Sequence, residues 1–182
     1  MTASSLEEIV AYAKANPGKV NYGAATGTIA QLAGELFKLS TGTNIVFEAG
    51  AAGLTDVLGG QIDLFVTATS IVTPFIRAGK LKPLTMMSEE RAPQLPDIPT
   101  TRESGYDVVA HFWTGVVAPA RTPPTIVAKL NSEVMTNPEL RNAILNLGAQ
   151  PKGGTPEAFA KLIAAEVPKW ADVVKASGTK AY

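Results

Sequence analysis

A chain of 182 residues that is 46% hydrophobic and only 18% charged has the makings of a packed core, which excludes a disordered or coiled-coil protein. Lysine plus arginine and aspartate plus glutamate stand at 16 each, so no net field is available to hold a nucleic-acid backbone or an anionic membrane surface. Cysteine is absent from the sequence, which removes disulfides, thiolate nucleophiles and cysteine-ligated zinc.

In chain order, Ser4 or Ser5 caps a helix with apolar residues at Leu6, Ile9, Val10 and Ala13, ended by Asn16, Pro17 and Gly18. A short strand is expected over Lys19–Tyr22, then the loop GAATGT, then a helix from Ile29 closed by Gly42. Asn44–Phe47 reads as a strand, EAGAAG as a loop, and Leu54–Leu58 as a brief helix ended by Gly59 and Gly60. Ile62–Val66 repeats the pattern as a strand, TATS as a loop, Ile71–Ala78 as a helix, and Leu81–Met87 as a further strand. Strand, loop and helix recurring at this pace predict a parallel α/β sheet with both faces covered.

The proline- and charge-rich RAPQLPDIPTTRESGYD is expected to be an ordered surface connection that wraps the lobe. His111–Ala118 reads as a strand cut off by PARTPP. Beyond it the chain is largely helical: Ile126–Met135, then Pro138–Leu147 capped by Asn137, and a final helix opened by Thr155, Pro156 and Glu157 and ended by Gly178. No apolar run approaches the ~18 residues needed to cross a bilayer. The start MTASSLEEIV lacks the basic and apolar parts of a signal peptide, and Met1 before a Ser/Thr cluster reads as a start set on an internal segment.

In an open parallel sheet the ligand lies beyond the carboxyl ends of the strands. Residues 23–28, 49–53 and 67–70 each join a strand end to a helix start and are rich in Gly, Ala, Ser and Thr. Small residues let backbone amides approach a ligand, and helix starts favour negative charge. Ala25, Thr26, Gly27 and Thr28 in the first loop, Gly50 and Ala51 in the second, and Thr67, Thr69 and Ser70 in the third are therefore candidate contacts to a carboxylate or similar oxyanion. The same composition also serves plain turning and helix capping.

His111, the only histidine, sits beside Phe112 and Trp113, where packing is a better reading than catalysis or metal ligation. Trp113 could stack on a ligand or fill a core. Asp63 suits a structural hydrogen bond, and Glu48 on the ligand side could repel an anion or hold an ammonium or a water. The Gly pairs at 59 and 153 are too short for a phosphate loop or dinucleotide fingerprint. Without a G-x-S-x-G elbow, a thiol or a histidine cluster, neither a hydrolase, a metal site nor a cofactor is expected.

The runs SLEEIVAYAKANPGKVNYGAATGTIAQLAGELFKLSTG, LTDVLGGQIDLF, IRAGKLKPL, PQLPDIPTTRESGY, FWTGVVAPARTPPTIVAKLNSEV and GGTPEAFAKLIAAEVPKWADVVKASG resemble the Bug family, the TctC-like substrate-binding receptors of tripartite tricarboxylate transporters. The resemblance implies a type II periplasmic binding protein whose two lobes close on a dicarboxylate, tricarboxylate, acidic amino acid or aromatic acid and deliver it to membrane transporter subunits. It further implies that residues 1–115 are the second-lobe α/β domain and 116–182 a crossover strand and helical tail belonging to the first lobe, most of which precedes this chain in relatives.

By that likeness the loops YGAATGT and the one after DLFV contact ligand, and Trp113 matches an aromatic in the returning strand. Two departures stand out: FEAGAAGLTD lacks a Pro-Tyr-Lys-Gly run, and Thr67 stands where many relatives carry an acid. The tail's apolar stripe, Ile126, Leu130, Val134, Leu145, Phe159, Ile163 and Val167, is expected to drive a homodimer. An effector domain of a transcription regulator, or a dimerising fragment that binds no ligand, are the competing readings.

Overall fold

Ser5 starts the first helix, α1 (Leu6–Ala15), by accepting a hydrogen bond from the Glu8 amide at 3.3 Å. The Ser4 amide and hydroxyl donate back to the Glu8 carboxylate at 2.6 and 3.0 Å. These bonds satisfy donors that a helix end leaves open, and Leu6, Ile9, Val10 and Ala13 form the buried face their spacing calls for. The computed structural model describes residues 4–48, 53–93, 95–146 and 149–179.

Three short strands, β1 (Asn21–Gly23), β2 (Val46–Phe47) and β3 (Leu64–Phe65), form one parallel sheet in the order β2-β1-β3. Tyr22 of the central strand lies opposite Phe47 on one side and Leu64 on the other. Parallel neighbours require crossovers, and the helices α2 (Ile29–Thr41) and α3 (Leu54–Leu58) supply them, with α4 (Thr69–Arg77) following β3. Gly42 ends α2 in the left-handed conformation, φ 64°, as a helix-ending glycine does. Leu6, Val10, Val20, Tyr22, Phe37, Ile45 and Val108 are among the side chains of the shared core. Asp63 has the structural role its position suggested. Its Oδ2 accepts from the Asn21 amide at 3.1 Å while its own amide donates to Asn21 Oδ1 at 2.7 Å, pinning β1 to the start of β3.

Two expected strands do not form. Over 81–87 only Met86 bridges, in parallel, to Thr100. Pro83 has no amide to donate to a ladder, and the segment is instead held by Met86 N to Pro99 O at 2.8 Å and Ala110 N to Met87 O at 2.8 Å. Residues 111–118 are likewise outside any strand. Val116 and Val117 are 83% and 80% exposed, and β-rich composition without a neighbouring strand makes no sheet.

The chain divides into two compact units, residues 1–112 with 170–182, and residues 113–169. The sheet and α1–α4 lie in the first unit. The second holds α5 (Pro124–Thr136), α6 (Pro138–Asn146) and the larger part of α7 (Pro156–Ser177). Asn137 Oδ1 caps α6 by accepting from the Glu139 and Leu140 amides at 2.9 and 3.1 Å, as expected. Asn131 Nδ2 donates to Gly154 O at 2.8 Å, tying α5 to the lead-in of α7. Among the described residues of 113–169 no apolar side chain is fully buried.

Candidate functional site

Because the strands are parallel, the segments that follow β1, β2 and β3 leave the sheet at one edge. The ladder runs on a step past each strand: the Glu48 amide donates to Tyr22 O at 3.0 Å and the Val66 amide to Gly23 O at 3.1 Å. The loop from Ala24, the segment from Glu48 and the loop from Val66 therefore start side by side. Two of the three expected loops, those around Ala25–Thr28 and Thr67, lie at this edge. Gly50 and Ala51 lie outside the described residues.

The first loop is tightly organised. Thr28 is the N-cap residue of α2, yet its side chain makes no cap bond; its hydroxyl donates to Ala25 O at 2.6 Å and closes the turn. Gly27, at φ 73°, uses its amide to donate to Gln31 Oε1 at 2.8 Å. Two donors expected to face a ligand, the Gly27 amide and the Thr28 hydroxyl, are thus used within the loop. Ala25 and Thr26 are exposed.

At the third loop α4 starts two residues earlier than its spacing indicated, so Thr69 and Ser70 belong to its first turn and only 66–68 are loop. Thr69 O accepts from the Thr73 hydroxyl at 2.8 Å. The N-cap residue is Ala68, which has no side-chain group to cap with. The first-turn amides of α2 and α4, which follow adjacent strands, therefore have no side-chain cap, and helix starts of this kind attract anions. Neither loop carries a lysine or arginine, so the donors at this edge are neutral, and Glu48 beside them is acidic.

Trp113 belongs to the other unit, where its ring meets Phe159 edge-on with centroids 5.4 Å apart at 88°. It remains 41% exposed, so it is not the core residue of one of its two readings. Phe159 also fills the space beside Gly115, where a Cβ would come within 2.2 Å of its ring.

Sequence reasoning overlooked the polar pillar beneath the first loop. Tyr22 is buried, with its hydroxyl 2.7 Å from Glu35 Oε1 and 3.1 Å from Gln31 O. Burial first, then the bond to Glu35, pushes the phenol well above its ordinary range. Glu35 in turn pairs with Lys38 at 2.8 Å. The available signal was two polar residues four apart, Gln31 and Glu35, on the largely apolar face of α2, since buried polar groups are kept only where partnered.

The model of the tripartite tricarboxylate transporter family receptor matches residues 1–179. The chain belongs to this receptor family. It is 35% identical over 184 residues to Protein BugT of Bordetella pertussis, covering 97% of this chain and 56% of BugT. It resembles the structure of R. palustris Rpa4515 with adipate at a TM-score of 0.81 and 30% identity, covering 98% of this chain and 62% of that one. It also resembles MatC (Rpa3494) from Rhodopseudomonas palustris with bound malate, at 0.80 and 28%, covering 95% and 63%. The periplasmic binding protein BugD superposes at 0.79 and 30%, covering 99% and 64%. The chain thus spans a little over half of BugT and under two thirds of these structures. In the family the parallel sheet and helical C-terminal segment read from the sequence form part of the periplasmic-binding-protein fold.

Proposed function

We propose that this chain is the carboxylate-gripping part of an extracytoplasmic receptor that works in the periplasm and passes a small organic acid to the membrane subunits of a tripartite tricarboxylate transporter. The observation that carries the reading is the pair of uncapped helix starts, α2 and α4, following adjacent parallel strands at one sheet edge. Each such terminus favours a negative group by ~0.3–1 kcal/mol, more where water is excluded. Thr26, Thr67 and Ser70 add hydroxyl donors, and Ala25 keeps the approach open. Gly27 and Thr28 shape the turn, and Thr69 opens α4 at the same edge.

Adipate and malate, found on two structural neighbours, are small dicarboxylates of the kind these donors suit. In this reading residues 1–115 form the second lobe, residues 116–182 serve the first, and the exposed Trp113 is a further aromatic contact. Calorimetry and thermal shift of the 182-residue chain with adipate, malate, citrate, acidic amino acids and aromatic acids test it. A dicarboxylate should bind and raise the unfolding temperature. Stabilisation by sugars or simple cations alone would overturn the assignment.

A further inference from the structure

Gln31 stands out as a buried amide, 7% exposed, on the core face of α2. A buried amide is costly unless bonded, and this one is bonded to the candidate site. Its Oε1 takes the Gly27 amide at 2.8 Å, and its backbone carbonyl lies 3.1 Å from the Tyr22 hydroxyl. Of the two ends of the Gln31 carboxamide only the oxygen accepts an N–H, so the Gly27 contact also fixes which way that amide faces.

We propose that Gln31 is a positioning residue for ligand capture: it locks the Ala25–Thr28 turn to the core so that Thr26 and the first-turn amides of α2 are held ready for a carboxylate. This rests on the carboxylate-receptor reading and adds to it the device that sets the loop. A connected path supports it. The Tyr22 hydroxyl, in the central strand, lies 2.7 Å from Glu35 and 3.1 Å from Gln31 O, and the Gln31 side chain carries the tie up to Gly27. The Thr28 hydroxyl closes the turn from its other end on Ala25 O. Gly27 holds φ 73°, a conformation favourable to glycine, which turns its amide back towards α2 rather than outward. A turn held at both ends loses little freedom when ligand arrives, and preorganised donors bind more tightly than mobile ones.

The test compares Gln31→Met, which keeps length and removes the acceptor, with Gln31→Glu, which keeps an oxygen acceptor. Hydrogen exchange at the Gly27 amide reads the lock by NMR, and calorimetry with adipate and with malate reads capture. Gln31→Met should speed Gly27 exchange and weaken both acids, each about tenfold, with the other α2 amides as protected as before. Gln31→Glu, whose carboxyl oxygen can still accept the Gly27 amide, should restore slow Gly27 exchange.

Unchanged Gly27 exchange in Gln31→Met overturns the lock. Faster exchange with unchanged affinity overturns its role in capture. So does a loss of protection throughout α2 that Gln31→Glu fails to restore. Failure of the unmodified chain to bind any of adipate, malate, citrate, acidic amino acids and aromatic acids defeats the carboxylate-capture reading itself, a result distinct from a chain that binds equally well with and without Gln31.

Discussion

Gly34 has no room for a side chain, because a Cβ there would lie 2.2 Å from Cε2 of the Tyr22 ring. Gly34→Ala should therefore destabilise the fold by ~1–3 kcal/mol, the usual cost of overpacking, seen as a lower urea midpoint with unchanged slope. Tyr22→Phe keeps the ring and removes the hydroxyl, leaving the buried Glu35 carboxylate with Lys38 alone. A loss of ~1–3 kcal/mol is expected, and equal stability of the two proteins would show that the hydroxyl contributes nothing. Neither residue announces its role in sequence. Tyr22 reads as one more strand residue, and its partners, nine and thirteen positions along the chain, are identifiable only once α2 is laid on the sheet.

The connection over 91–108 is held by polar contacts although its described residues form no helix or strand. Arg91 pairs with Glu103 at 3.0 Å and donates to Pro96 O at 2.9 Å, while Glu103 accepts from the Thr100 amide at 2.7 Å. Ile98, Thr100, Thr101 and Val108 are buried along it, and the Thr101 hydroxyl donates to Val108 O. The bond from Arg91, then that from the Thr100 amide, holds the Glu103 carboxyl down at about 2. A carboxylate whose folded value is depressed contributes stability that is complete above the ordinary value of about 4.3 and is lost as pH falls towards 2. The unfolding temperature should therefore drop less from pH ~5 to ~2.5 in Glu103→Gln than in the unmodified chain; parallel curves would count against the tie. The proline and charge content of this segment marked it as an ordered connection, and its buried side chains bear that out. The segments 81–87 and 111–118 read as strands in sequence and are not, for a related reason: β-prone composition is a property of the segment, whereas a strand needs a neighbour.

Across the molecule, residues 113–169 present the largest unsatisfied demand for burial. Leu130 and Val167 are 52% and 64% exposed, and Ile126, Leu145 and Ile163 of the expected stripe are exposed as well; the Val134 side chain lies outside the described residues. Apolar surface of this kind drives association, so light scattering at micromolar concentration should give the mass of a homodimer. Leu130→Ser with Val167→Ser should shift that mass towards the monomer, whereas a monomeric mass for the unmodified chain would remove the argument. Caps, glycine stops and apolar periodicity act over a few residues and leave local marks, so the helices and the parallel α/β character were legible before folding, while the family was legible as a resemblance of whole runs of residues. Which loop donors remain for a ligand, the bond from Gly27 to Gln31 and the meeting of Trp113 with Phe159 emerge in the folded chain alone, because hydrogen-bond partners and ring contacts depend on which segments folding brings within reach.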